Sequence, residues 1–358
     1  MGFDGIRGFA VIAMITAHLE LFKSIQGTSV SPLFSGETGV DAFFVLSGFL
    51  ITMLMIREVD NAGSISIMAF YGRRIFRIVP LYALFLASVL ALILFRQPVA
   101  DLKTFLAAAT YTYNFVPRQW FSIVLQHVWS LAVEEHFYLL WPFFFALLYA
   151  RNPKLLIGLS AALFVCSYLF LIEISDYWRW LHQLHFDRWT MVAGSNILAG
   201  CVMALLIEGE HGSRVAIKII KSRASLIVGA CLFANDIFGV SLPSHMDSCV
   251  RALGIAVIVG WLFLNQASLL ARIPEFPPLR FVGLISYGIY IWQGLFIGSE
   301  SERSAGQLWP PTPWLGLLLV LLVVAPASFF LFERPIMRIG RRVLREYMSR
   351  RQPTAVTR

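Results

Sequence analysis

Long apolar runs separated by short polar segments follow one another along the whole chain. Runs of about 17 to 25 apolar residues are long enough to cross a bilayer as helices. Ten can be placed, near residues 5–23, 38–56, 78–95, 130–150, 154–172, 190–207, 224–240, 250–266, 281–298 and 314–333. Another apolar stretch, 104–116, is too short to span and is interpreted as interfacial or re-entrant. The pattern predicts an all-α, polytopic membrane bundle of about ten transmembrane helices.

The positions of Lys and Arg indicate how the bundle is oriented, because short cytoplasmic loops are enriched in them. With the N-terminus inside, 21 of the 29 Lys and Arg residues fall on the inner side. We therefore predict that both termini are cytoplasmic. Residues 1–335 are predicted to form one transmembrane domain. Residues 336–358 are predicted to form a basic cytoplasmic tail whose arginines hold the anionic inner leaflet.

The composition supports a lipid-embedded chain. Of 358 residues, 58% are hydrophobic and 14% charged, with a mean hydropathy of +0.71, which excludes an ordinary soluble domain. The net charge of +8 is spread between the apolar runs and the tail, so it does not indicate nucleic-acid binding. The four cysteines lack paired spacing, so neither disulfides nor zinc are predicted. The first apolar run lacks a basic leader and a cleavage site, so no cleavable signal peptide is expected.

The first two spans carry ionisable residues. Arg7 lies near the inner end of the first span, and His18 follows eleven residues later, on the same helical face about 16 Å away. Such groups inside a span usually face a cavity or a partner. Asp41 opens the second span, close in depth to His18, and could hold the imidazole in one tautomer. The alternatives are a structural interhelical hydrogen bond for His18 and a helix cap for Asp41.

Two further segments carry candidate chemistry. The segment YGRRIFRIVP, predicted as a loop entering the third span, contains Arg73, Arg74 and Arg77, which suit both topology and phosphate binding. The fourth span begins HVWSLAVEEHFYLLWP and places Glu134 one turn before Tyr138 on the same face. We predict that Glu134 faces inward and pairs with Tyr138.

The order and spacing of these segments, with SYGIYIW and the closing FERP, resemble the acyltransferase 3 family of membrane-bound O-acyltransferases along residues 4–335. The resemblance implies a donor acyl-CoA, most often acetyl-CoA, on the cytoplasmic side of a bacterial inner membrane. It implies an acceptor hydroxyl on an envelope carbohydrate, polysaccharide or glycolipid, and no metal. The chain is expected to lack the additional extracytoplasmic hydrolase-like domain of some members.

Residue roles follow from the same resemblance. It implies that His18 is the catalytic histidine, which deprotonates the acceptor hydroxyl or carries the acyl group transiently. Its implied companions in catalysis are Arg7, Asp41 and Glu134. The residues implied to bind the donor are Arg73, Arg74, Arg77 and Arg334, and Glu333 also stands at a family position. Gln293 stands where the family often has His, so acid-base work at that position is doubtful.

Other functions remain open from the residues alone. A transporter or proton-coupled channel could use the intramembrane Arg, His, Asp and Glu residues, although no inverted repeat is visible. A non-catalytic assembly subunit is a third alternative. His182 and His185 lie in a predicted outer loop, but a metal site needs three or four ligands in fixed geometry, so an acceptor-facing loop is favoured. Arg188 could contact an acceptor or extend to the membrane interface.

Overall fold

The computed structural model describes residues 3–16, 35–95, 99–177, 184–209, 212–235, 246–297 and 312–351. Within these ranges the regular structure is helical, and the only bridge between extended residues joins Pro117 to Leu184. The α-helices of seven residues or more are α1 (Phe3–Thr16), α2 (Gly36–Ala62), α3 (Ile67–Leu94), α4 (Leu102–Ala109), α5 (Val128–Leu148), α6 (Pro153–Tyr177), α7 (Thr190–Ile207), α8 (Arg214–Lys221), α9 (Arg223–Phe233), α10 (Met246–Leu264), α11 (Pro277–Leu284), α12 (Ser286–Phe296), α13 (Pro313–Leu319) and α14 (Arg334–Arg351). The predicted all-α class is confirmed.

Seven helices among the described residues are long and apolar enough to cross a membrane. They match the predicted spans 38–56, 78–95, 130–150, 154–172, 190–207, 250–266 and 314–333. The other three predicted spans correspond to shorter described helices, namely α1, α9 and the pair α11 and α12, which is interrupted at Ile285. The stretch 104–116 forms the end of the short α4 and a 3-10 turn, in keeping with its length.

The third long helix begins well before the predicted span. α3 starts at Ile67, where the Ser66 hydroxyl accepts a hydrogen bond from the Ala69 amide and caps the helix. The segment YGRRIFRIVP is therefore helical, and the prediction that it is a loop is wrong. A prediction from hydropathy places the start of a helix after the last charged residue. Arginine, however, has a high helix propensity, so the helix itself can begin before the arginines. Helical periodicity then directs the arginines to different faces.

α2 lies at the centre of the bundle: 78% of its most apolar window is buried, against 28% for α3. It packs closely on α7 at two glycines. A Cβ added at Gly48 would lie 1.9 Å from the Ile197 carbonyl oxygen, and one added at Gly200 would lie 2.0 Å from that of Val45. Small residues allow two membrane helices to approach at the backbone. This contact fixes α2 against α7 and thereby positions the polar residues of both.

The chain continues as a helix past residue 335, where the predicted tail begins. α13 leads through two π-helical turns, Val320–Val324 and Ser328–Glu333, into α14. α14 packs on α3, with Gly340 against Phe76 and Gly72 against Leu344. α14 thus packs on α3 as far as Leu344, and Arg341 of α14 lines the same cleft as the arginines of α3.

Candidate active site

A cavity of about 90 Å³ with charged side chains in its lining, here called the central cavity, lies between α1, α2, α3, α5 and α12. Four predicted site residues line it: Arg7, Arg74, Arg77 and Glu134. The space holds several water-sized groups, and therefore a short acyl group, but not a large carrier molecule. With three guanidinium groups and one carboxylate, its charged lining is suited to an anion or to developing negative charge.

Glu134 is held by two hydroxyl groups inside the central cavity. The Tyr138 hydroxyl donates to Glu134 Oε2 at 2.9 Å, and Ser47 Oγ donates to Oε1 at 3.0 Å. The predicted pairing of Glu134 with Tyr138, one turn apart on α5, is confirmed. Ser47 lies on α2 and was not predicted. Because both carboxylate oxygens accept hydrogen bonds, the orientation of the Glu134 side chain is fixed.

The three arginines of α3 separate into two faces. Arg74 places its guanidinium carbon 4.2 Å from the centre of the Tyr138 ring, and Arg77, three residues later, shares its face. Arg73 lies about 100° around the helix and instead pairs with Glu58, Nη2 to Oε2 at 3.0 Å. Only two of the three residues therefore reach the central cavity.

Arg7 reaches the same cavity from α1. Its Nη1 lies 3.2 Å from Asp4 Oδ1, one turn earlier on the helix, and its side chain is 23% exposed. The position of α1 depends on Gly5, because a Cβ there would lie 1.8 Å from the Pro274 carbonyl oxygen and only glycine permits so close an approach. The close contact of α1 with the segment before α11 thus determines where Arg7 stands.

The segment SYGIYIW forms one wall of the central cavity on α12. The Tyr287 hydroxyl donates to the Ile78 carbonyl at 2.8 Å, and the Tyr290 hydroxyl donates to the His127 carbonyl at 2.5 Å. Both tyrosines therefore tie α12 to neighbouring segments. Further along, Gln293 is buried, with Nε2 3.4 Å from the Met14 sulfur, and among the residues that the structure describes Oε1 has no hydrogen-bond partner.

Asp41 does not line the central cavity. Its Oδ1 accepts from Asn196 Nδ2 at 2.6 Å and from Ser248 Oγ at 3.0 Å, and its Oδ2 accepts from Arg251 Nε at 2.8 Å. The relative exposure of Asp41 and Arg251 is 5% and 3%. This buried ion pair joins α2, α7 and α10. It was missed from the sequence, although Asn196 and Arg251 are polar residues inside predicted spans, which is the signal that marks such partners.

The remaining predicted residues lie apart from the central cavity and from the Asp41 cluster, or outside the described ranges. His18 and His182 lie outside the described residues. Arg334 is exposed on α14, 5.8 Å from the centre of the Phe330 ring, and lines no described cavity, so the structure does not bring it to the predicted donor site. Its neighbour Glu333 is buried, and Glu333 Oε1 accepts a hydrogen bond from Ser328 Oγ at 3.1 Å. Because a helix turns by about 100° per residue, Arg334 faces outward where Glu333 faces inward.

The loop before α7 is aromatic and charged. His185 packs on Phe121 with ring centres 4.7 Å apart, and its Nδ1 lies 3.7 Å from Asp187 Oδ1. Arg188 lies over the Phe121 and Trp129 rings at 4.6 and 5.3 Å, and burial lowers the pKa of its guanidinium. Across the part of the chain that the structure describes, no group of three His, Cys, Asp or Glu residues is arranged to hold a metal.

Comparison with known proteins places this arrangement in a family. The model of the family described as acyltransferase domain, acyltransferase 3, matches residues 2–333. Peptidoglycan O-acetyltransferase OatA of Listeria monocytogenes is 29% identical over 94% of this chain and 56% of its own length. The putative peptidoglycan O-acetyltransferase YrhL of Bacillus subtilis is 27% identical over 95% of this chain and 55% of its own.

O-acetyltransferase OatA of Staphylococcus aureus is also 27% identical, over 95% of this chain and 57% of its own length. The chain thus spans a little over half the length of these relatives. No solved structure matches it with significant similarity. Because the family model covers nearly the whole chain, including every segment that forms the central cavity, the chain belongs to the acyltransferase 3 family.

Proposed function

We propose that this membrane protein is an O-acetyltransferase that moves an acetyl group from cytoplasmic acyl-CoA to a hydroxyl of a cell-wall carbohydrate. The relatives named above, two peptidoglycan O-acetyltransferases among them, support the acetyl group and the carbohydrate acceptor. The observation that carries the proposal is the central cavity, where Arg7, Arg74 and Arg77 surround the hydrogen-bonded Glu134. The bacterial inner membrane is the proposed location.

The central cavity supports acyl transfer through its charge. Attack of a hydroxyl on a thioester carbonyl generates an oxyanion, which donors fixed in a water-poor site stabilise strongly. The guanidinium groups of Arg7, Arg74 and Arg77 are such donors. In the proposal, His18 accepts the proton of the acceptor hydroxyl, and the hydroxyl oxygen bonds to the carbonyl carbon. The carbon–sulfur bond then breaks with its electron pair on sulfur, and the CoA thiolate takes up the proton from His18 to become a thiol.

A cleft between α3 and α14 supports an acyl-CoA donor. It has a volume of about 230 Å³ and is lined by four arginines, Arg73, Arg74, Arg77 and Arg341. Guanidinium groups bind phosphate through paired N–H donors. Arg74 and Arg77 line both the cleft and the central cavity. In the proposal, the arginines hold the phosphates in the cleft while the thioester end reaches the central cavity.

Purified protein in lipid nanodiscs tests the proposal with acetyl-CoA and soluble peptidoglycan fragments as substrates. We expect acetylated fragments and free CoA in equal amounts, and a loss of turnover of about 100-fold in Glu134→Gln. The control Arg334→Gln removes an exposed charge outside the described cavities and should keep full turnover. Absence of acetyl transfer by the wild-type protein, or full turnover in Glu134→Gln, would contradict the proposal.

A further inference from the structure

A second cavity, of about 210 Å³, lies at one end of the bundle and has more than twice the volume of the central cavity. α2, α5, α7 and α10 begin there and α6 ends there. Val40 and Phe44 line both cavities. We propose that the second cavity binds a sugar ring of the acceptor, an inference that rests on the proposed function.

The cavity is close enough to the central cavity to serve the same reaction. Asp41 and Ser47 line different cavities and are six residues apart on α2, a rise of about 9 Å. Trp129 and Glu134 are five residues apart on α5, about 7.5 Å. A sugar ring in the second cavity therefore lies one layer of side chains from the Glu134 carboxylate. Phe44 forms that layer, packed edge-on against Trp129 at 6.0 Å.

The lining combines the groups that recognise a neutral polyhydroxylated ligand. Carboxylates, an amide and aromatic rings line it, among them Glu37, Trp129, Tyr168, Asp187, Asn196 and Asp247. Each carboxylate offers two oxygens and several acceptor positions for sugar hydroxyls. Ligand sites typically combine apolar walls with a few fixed polar groups of this kind.

The floor of the second cavity is already rigid. Asn196 donates to Asp41 and accepts from the Tyr168 hydroxyl at 2.6 Å, while Ser248 and Arg251 donate to the same Asp41 carboxylate. These hydrogen bonds join four helices at one point. Because these side chains are already ordered, a ligand that binds against them loses less affinity to the entropy cost of ordering side chains.

Charge separates the second cavity from the donor cleft. Asp41 is paired with Arg251, but Glu37, Asp187 and Asp247 still outnumber the guanidinium of Arg188 in the lining of the second cavity. By contrast, four arginines line the cleft between α3 and α14. Like charges disfavour a polyphosphate in the acidic cavity. The arrangement therefore assigns the anionic substrate to one cavity and the neutral sugar to the other.

Steady-state kinetics with Glu37→Gln and Asp247→Asn in nanodiscs tests this inference. Both changes keep side-chain shape, and Glu37 is 86% exposed, so folding should be preserved. We expect the acceptor KM for peptidoglycan fragments to rise about tenfold, since each variant weakens a hydrogen bond to a charged group. The KM for acetyl-CoA should stay unchanged, because neither residue lines the donor cleft.

The control Glu173→Gln removes the same charge from the exposed surface near the end of α6, away from the cavity lining, and should change nothing. An unchanged acceptor KM in both cavity variants would overturn the inference while leaving the proposed function in place. Equal increases in the KM for both substrates would also overturn it. Failure of the wild-type protein to transfer acetyl groups would instead refute the proposed function.

Discussion

The buried pair of Asp41 and Arg251 allows a quantitative prediction about stability. Arg251→Met keeps much of the side-chain volume but removes the guanidinium that donates to Asp41 Oδ2 at 2.8 Å. Asn196 and Ser248 still donate to Oδ1, yet neither carries a positive charge. Removing one partner of a buried ion pair costs about 3–5 kcal/mol, because the other charge remains without compensation. We expect the free energy of unfolding to fall by that amount.

The double variant Asp41→Asn/Arg251→Met removes both charges at once. It should recover most of the stability lost in Arg251→Met, since the remaining amide needs only neutral hydrogen bonds. Equilibrium unfolding with SDS in mixed micelles, followed by circular dichroism, gives the free energies for all variants. The coupling energy from the resulting cycle measures the pair directly.

The pair of Arg57 and Glu208 provides the matched control. Arg57 Nε lies 2.5 Å from Glu208 Oε1, but the Arg57 side chain is 48% exposed. Arg57→Met should therefore lower the free energy of unfolding by less than about 1 kcal/mol. If Arg251→Met costs no more than Arg57→Met, the account of Asp41 as a buried ion pair is wrong. A double variant as unstable as the sum of its single variants would refute it equally.

Three other experiments test different parts of the account. His18→Ala should abolish acetyl transfer in the nanodisc assay while the protein still accumulates in the membrane, and retained activity would reject His18 as the proton acceptor. Arg74→Gln should raise the KM for acetyl-CoA more than Arg73→Gln, because only Arg74 also lines the central cavity, and equal effects would argue against this division. Gly48→Leu should prevent accumulation of folded protein, judged by size-exclusion chromatography, whereas Gly158→Leu, with open space around its Cβ position, should be tolerated; similar yields would contradict the close packing of α2 on α7.

The sequence predicted the helical fold because apolar runs of spanning length are a strong and local signal. It was less accurate about where helices begin. The prediction placed the third span at residue 78, whereas α3 starts at Ile67, since charged residues at a helix end lower hydropathy without lowering helix propensity.

Contacts within one helix were predictable, and contacts between distant helices were not. The pairing of Glu134 with Tyr138 follows from a spacing of four residues on α5. The partners of Asp41 are 155 and 210 residues away in the chain, at Asn196 and Arg251. Spacing carries no information about such pairs, because they depend on how the helices pack.

The most direct test of the central claim uses inside-out membrane vesicles, which present the proposed cytoplasmic face to the medium. Radiolabelled acetyl-CoA is added outside, and soluble peptidoglycan fragments are trapped inside. The account predicts labelled fragments in the vesicle interior with the wild-type protein and almost none with Glu134→Gln. Labelled product that forms only when acetyl-CoA and fragments are on the same side of the membrane would contradict transfer through the central cavity.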